Sequence, residues 1–168
     1  EGKLKVAWAE GSVLEISAHN ILGATRLAMA RAIAQLAQGP LAGLFAAAGT
    51  EGELFGRTDA RTFLVLVDGL PLRPFAWAHE AVKGGDGKSL AIALASIVAT
   101  VERDRLLVEL EARYPQYGFA THKGYGTPEH VEALRQHGPC PEHRDLFVRS
   151  ILAGEAPPPE DQGEFRFE

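Results

Sequence analysis

The stretch Phe63-Leu64-Val65-Leu66-Val67-Asp68-Gly69, then Lys83-Gly84-Gly85-Asp86-Gly87-Lys88-Ser89 running into the apolar segment Leu90 to Val101, decides the fold. An unbroken apolar run that ends on Asp-Gly predicts a strand buried on both sheet faces, the habit of α/β proteins. Leu90 to Val101 is apolar all round and predicts a fully buried helix, which Glu102 to Ala112 continues with Leu106, Leu107 and Leu110 on one side. Between them, Pro71, Arg73 and Pro74 make a stiff link, and Ala81-Val82 predicts a short strand ahead of the glycine loop.

Toward the N-terminus, Lys3 to Ala9 alternates polar and apolar residues, which predicts one half-buried strand. Ser12-Val13-Leu14-Glu15 has capping-box spacing, so a short helical turn follows. Asn20 caps a second helix from Ile21 to Ala37, which Gly39-Pro40 ends. Residues 38–61 read as a loop or insertion, because glycines and mixed charges interrupt any period. Toward the C-terminus, Tyr114 to Gly126 predicts a rigid loop. Thr127-Pro128-Glu129 starts a helix with a capping hydroxyl, a first-position proline and a first-turn acid, and Gly138-Pro139 stops it. Residues 1–150 are expected to form one domain, and residues 151–168 an acidic, proline-rich, disordered tail.

The 168 residues are enough for one domain with a real core, and the net charge of −5 is mildly acidic. Such a chain lacks a general electrostatic footprint for nucleic acid, so binding would need a local patch or bound cations. The single cysteine, Cys140, excludes an internal disulfide and fits a reducing compartment. No apolar run is long enough to span a bilayer and no basic-apolar leader opens the chain, so the expectation is a cytoplasmic protein without membrane contact.

Asp68 at a strand end and Asp86 in a glycine loop can converge at the carboxyl edge of a sheet, where oxygen ligands would bind Mg2+ or Mn2+. On spacing alone the plainer reading takes precedence: Asp68 starts an Asp-Gly turn and Asp86 is a surface acid. Gly87-Lys88-Ser89 resembles part of a phosphate-binding loop, but Val82 stands where that motif needs glycine. His137, Cys140 and His143, with His122 and His130 nearby, have zinc-like spacing, but a surface loop with solvated histidines is the expected arrangement. Tyr117 to Thr127 suits a tight aromatic-packed loop as well as one that offers an aromatic face and Lys123 to a sugar–phosphate backbone.

Several motifs in order resemble bacterial ribonuclease HII. They are Val67-Asp68-Gly69, Lys83 to Ser89, Ile92 to Ala99 through Arg103-Asp104-Arg105, Tyr117-Gly118-Phe119, His122-Lys123-Gly124-Tyr125-Gly126-Thr127, Gly138-Pro139 and His143-Arg144. The first long helix, with Asn20-Ile21-Leu22-Gly23, is similar as well. The resemblance covers Val6 to Phe147, except Gln38 to Arg61.

It implies a ribonuclease H-like α/β fold: a mixed sheet flanked by helices, with the family's first strands missing, plus a C-terminal helical part. It implies endonucleolytic hydrolysis of the RNA strand of RNA/DNA hybrids, or at a single ribonucleotide in duplex DNA, with Mg2+ or Mn2+ held by four acids. Asp68 and Asp86 match two of the four, as catalytic and metal-binding residues. Tyr125 matches the tyrosine that packs on the sugar at the DNA side of the junction, and Lys123 and Lys88 are the accompanying substrate-binding candidates. Asp104 is expected to be structural. The pair Gly84-Gly85 departs from the pattern by one extra glycine or a displaced lysine, and Thr100 stands where lysine is usual. The family's opening Asp-Glu-Ala-Gly-Arg-Gly has no counterpart, and Ala34 to Gly43 echoes only its ending. The resemblance therefore implies a chain nearly inactive alone. The competing expectation is a non-catalytic, hybrid-binding or subunit-pairing remnant with a complementing chain as partner.

Overall fold

The computed structural model describes residues 4–39, 64–75 and 77–154. The expected insertion lies outside the described residues except Gln38 and Gly39, and so does the tail beyond Gly154. In order, the described elements are α1 (Val13–Gln38), β1 (Val65–Asp68), β2 (His79–Val82), a 3-10 turn (Gly85–Gly87), α2 (Leu90–Arg113), α3 (Phe119–His122), α4 (Pro128–His137) and α5 (Asp145–Leu152). The chain is mixed α/β, and five helices with a small parallel sheet fit a ribonuclease H-like fold that shows only two strands among the described residues. It divides into two compact units, Glu1–Gly11 with Ala24–Ile97 and Ser12–Gly23 with Val98–Glu168.

In α1 the caps act as their chemistry dictates. Glu15 Oε2 accepts from the Ser12 amide at 2.9 Å, and Ser12 Oγ accepts from the Glu15 amide at 3.2 Å, a reciprocal capping box. The helix is broken at Asn20, whose φ of 57° and ψ of 176° lie outside helical space. Its Oδ1 accepts from the Gly23 amide at 3.0 Å and so caps the segment that follows. That segment runs to Gln38, so the Ala34 to Gln38 part of the echo is helix rather than strand.

In the first unit, β1 and β2 pair in parallel, with Val65 opposite His79 and Asp68 opposite Val82. The Gly69 amide donates to the Val82 carbonyl at 3.1 Å and carries the ladder one residue past Asp68. Val67 is buried but Leu64 is exposed, so the expected two-faced burial holds at only part of the strand. Residues 4–10 form no strand among the described residues. Their alternation is present, but Leu4, Val6 and Trp8 are exposed, and a strand needs a hydrogen-bonding neighbour as well as a pattern.

Helix α2 corrects a second expectation. Only Ile92 is buried along it, while Leu90, Ile97, Val101 and Val108 are exposed at spacing that puts them on one face. Apolar composition signals a capacity for burial, whereas burial itself requires a covering layer.

In the second unit the core joins Tyr117, Phe119, Leu134, Cys140, Phe147, Val148 and Ile151, with Leu107 and Leu110 of α2 packed against it. Helix α4 begins at Thr127, whose Oγ1 accepts from the His130 amide at 3.4 Å, and ends at Gly138, where a φ of 70° suits glycine. The Tyr117 hydroxyl donates to the Gly138 carbonyl at 2.7 Å, which keeps a buried phenol satisfied. Helix α5 runs through Leu152, past the expected start of the tail, because Ile151 is part of the core.

The break at Asn20 gives a test. Asn20→Ala removes the cap and leaves a β-carbon at positive φ, and should cost about 1–3 kcal/mol. Asn20→Gly loses the cap but relieves the backbone and should cost less. Urea-unfolding midpoints of the two variants check this order.

Candidate functional site

The end of β1, the glycine loop and the start of α2 are tied together by one short bond. The Gly85 amide donates to Asp68 Oδ1 at 2.7 Å. A β-carbon on Gly85 would meet Ile92 Cδ1 at 2.5 Å and Asp68 Oδ1 at 3.2 Å, so a larger residue here would force the Ile92 side chain to shift. Gly84 has a φ of 62°, a separate reason for glycine beside it. The two adjacent glycines that depart from the family pattern thus have distinct roles, one for conformation and one for space.

Asp68 and Asp86 are thereby placed on the strand end and on the 3-10 turn docked against it. Asp86 is exposed, and its Oδ1 accepts from the Gly87 amide at 2.9 Å. No group of three or more His, Cys, Asp or Glu side chains forms a metal site among the described residues. Hard carboxylate oxygens next to a strand end fit one part of a divalent-cation site, with further ligands required to complete it.

The phosphate-loop reading does not survive. The amides of Gly85, Gly87, Lys88 and Ser89 all donate within the site, to Asp68 Oδ1, to Asp86 Oδ1 and to the Gly85 carbonyl, so none is offered to an anion. Lys88 Nζ donates to the Lys83 carbonyl at 2.5 Å and folds back on its own loop.

The second unit carries Tyr125 and Lys123. Tyr125 is exposed, with the Arg103 guanidinium 5.4 Å from its ring centroid. Arg103 also donates to the Lys123 carbonyl at 2.7 Å, so one side chain of α2 holds both residues of the turn. Lys123 has a φ of 53° and pairs with Asp104 at 3.6 Å. Arg103 was legible only as an Arg-Asp pair on a helix, and its contact with an aromatic turn is not encoded in that spacing.

Three of the four histidines overturn the expectation of a solvated loop, whereas His137 is exposed as expected. His122, His130 and His143 are all buried, as is Cys140. The His122 and His130 rings stack with centroids 4.0 Å apart, and His130 Nε2 lies 3.1 Å from His143 Nε2. Burial and the neighbouring histidines outweigh the bond to Tyr125 and push His130 down to about 4, and burial also lowers His143. Burial pushes the Cys140 thiol up, so it stays protonated. This is no zinc cluster: every ring nitrogen of the three has a hydrogen-bond partner.

The sequence model of the family described as Ribonuclease HII matches residues 75–151. Over 149 residues the chain is 44% identical to Ribonuclease HII of Acidovorax sp. (strain JS42), which covers 89% of this chain and 61% of that protein. It is 47% identical to Ribonuclease HII 1 of Methylibium petroleiphilum over 86% of this chain and 63% of the relative. With Ribonuclease HII of Bordetella pertussis the identity is 45%, over 85% of this chain and 61% of the relative. The chain is similar to ribonuclease HII proteins over most of its own length. It spans about three fifths of the length of these relatives. The Asp86 loop, α2 and the Tyr125 turn all fall within the matched residues of the ribonuclease HII model, whereas Asp68 precedes them. No helix among the described residues is long and apolar enough to cross a membrane.

Two measurements test this geometry. Gly85→Ala should cost about 1–3 kcal/mol by forced overlap with Ile92, whereas Gly87→Ala, with open space around it, should be close to neutral in urea unfolding. The second concerns pH. The unfolded chain takes up a proton at His130 near pH 6.5 and the folded chain only near 4. Stability is therefore full above 6.5 and falls as pH drops toward 4. Urea midpoints should decline across that window, and less so in His130→Asn.

Proposed function

We propose that this chain acts in the endonucleolytic hydrolysis of the RNA strand of RNA/DNA hybrids, including a single ribonucleotide in duplex DNA. The observation that carries this reading is the Asp68–Gly85 bond, which brings the Asp86 loop to the strand end in a chain 44–47% identical to proteins named Ribonuclease HII. Asp68 and Asp86 would hold Mg2+ or Mn2+, together with acids from the family's Asp-Glu strand. Such a cation, when bound, polarises a phosphate, lowers the pKa of a water and stabilises a leaving oxygen. The residues of this chain do the rest. The carboxylates of Asp68 and Asp86 supply negative charge at a fixed place, because Gly85 holds one carboxylate and the Gly87 amide orients the other. Tyr125 offers an exposed ring to a sugar face, and Arg103 beneath it fixes the ring and adds positive charge. Lys123 and Lys88 would exchange their present partners, Asp104 and the Lys83 carbonyl, for backbone phosphates. A reducing, cytoplasmic setting accords with the buried free thiol of Cys140.

A second reading rests on Asp68 and Asp86 being the two acids that the Gly85 bond gathers at the strand end: a hybrid-binding or subunit-pairing protein whose further acids come from a complementing chain. One experiment separates the two. Metal-dependent cleavage of a duplex with one ribonucleotide is measured for the 168 residues alone and for a fusion carrying an upstream Asp-Glu-Ala-Gly-Arg-Gly strand. The fusion should cut, the 168 residues alone should be nearly inactive, and Asp68→Asn or Asp86→Asn should lower the fusion's rate by about 100-fold or more. Full activity of the chain alone would overturn the dependence on added acids. A fusion that cuts equally well without either aspartate overturns their assignment.

A further inference from the structure

Three histidines and one cysteine loop, which the proposed chemistry does not use, form a connected system with the Tyr125 turn. Its proton positions can be derived from its ends. The Tyr125 carbonyl can only accept, so His130, whose Nδ1 lies 2.8 Å away, must carry its proton on Nδ1. His130 Nε2 is then an acceptor, so His143 Nε2 at 3.1 Å must donate. His143 Nδ1 is left as an acceptor, and the Cys140 amide donates to it at 3.0 Å. Starting from the other end gives the same result, since a backbone amide can only donate. The chain therefore runs one way, from the Cys140 amide through His143 and His130 to the Tyr125 carbonyl.

A second, shorter link acts on the same turn. The Gly124 amide donates to His122 Nδ1 at 3.1 Å, which puts the proton of His122 on Nε2, where it donates to the Tyr117 carbonyl at 2.7 Å. The backbone on each side of the Gly124–Tyr125 peptide is thus gripped by an imidazole of defined tautomer. The titratable groups facing His130 are His122 from α3 and His143 from the turn before α5, and its remaining ring neighbours Phe119 and Phe147 are uncharged. His143 faces the Tyr117 ring and the Cys140 thiol, at 4.7 Å between centroids and 3.1 Å from Nδ1 to Sγ. No carboxylate is among these partners to stabilise an imidazolium, in keeping with the lowered pKa values of His130 and His143.

We propose that His143 and His130 are positioning residues for Tyr125, holding its backbone, and hence its exposed ring, through a one-way line of neutral tautomers. Neither histidine touches substrate. His143 acts at two removes, by denying His130 the alternative tautomer that would turn a lone pair toward the Tyr125 carbonyl. The proposal rests on the reading of Tyr125 as the residue that meets the sugar, and its test separates the two.

The line itself is read on the intact 168-residue chain from long-range nitrogen–proton spectra of the imidazoles at neutral pH. Expected are His130 protonated on Nδ1 and His143 on Nε2; any other pair overturns the proposal. His143→Asn keeps an acceptor for the Cys140 amide but loses the donor to His130. It should mix the His130 tautomers and speed amide exchange at Thr127, which donates to the Tyr125 carbonyl, by tenfold or more relative to Asn20→Ala at matched stability. Equal exchange in the two variants overturns positioning in favour of a general stability role. His130→Asn, which retains a donor toward Tyr125, should keep more of the slow exchange than His130→Ala; equal loss in both also overturns it. In a separate arm, the preference for a duplex with one ribonucleotide over the all-DNA duplex should fall in His143→Asn toward the value of Tyr125→Ala. An unchanged preference in Tyr125→Ala overturns the substrate reading of Tyr125 and the functional half of this proposal, whereas the spectra decide the line independently.

Discussion

The bond from the Gly85 amide to Asp68 Oδ1 is the constraint on which the first unit's chemistry depends. It joins the end of a parallel strand to the loop that opens α2, and it works because the missing side chain of Gly85 leaves room for Ile92. Were the loop lifted by the width of a methyl group, Asp68 would lose its donor and Asp86 its fixed distance from the strand. A carboxylate held by a backbone amide also spends no side-chain freedom on finding its orientation. The hydrogen bonds inside the loop have the complementary effect, since they use up the amides that would otherwise draw an anion.

The second unit solves a different problem, the placement of an exposed aromatic residue on a turn of only a few residues. Tyr125 cannot be held by burial of its own ring, which stands partly in solvent over Arg103. It is held by its backbone instead, through histidines seated in the aromatic core of Tyr117, Phe119 and Phe147. Imidazole suits this work because it is the one side chain that both donates and accepts through rigidly opposed atoms. The core supplies the low-polarity surroundings that keep His130 and His143 neutral, so packing and hydrogen bonding reinforce one another.

Much of this was legible in the sequence where the controlling interaction is local. Ser12 with Glu15, Asn20, and Thr127 with Pro128 and Gly138 all cap where their chemistry requires, because a cap involves residues three or four apart. The β1 and β2 strands were legible from apolar runs, and the ordered motifs carried the family. The burial of α2 and the strand at residues 3–9 were not, since each depends on a distant layer that no local pattern contains. The histidines failed for a related reason. His122, His130 and His143 sit on three separate elements, and four of their hydrogen bonds run to backbone carbonyls and amides, groups that no sequence distinguishes.

The line from Cys140 to Tyr125 has a property that follows from its two fixed ends. Donors and acceptors alternate along it without a spare, so it behaves like a parity check. An extra proton cannot be absorbed by shifting tautomers, because every shift sets two donors or two lone pairs face to face somewhere along the line. One bond must open, either that between the Cys140 amide and His143 or that between the two rings, since the acceptor nitrogens of the line are His143 Nδ1 and His130 Nε2. The Tyr125 carbonyl therefore keeps its imidazole donor through the first added proton, and the cost of protonation falls on the links farther from the turn.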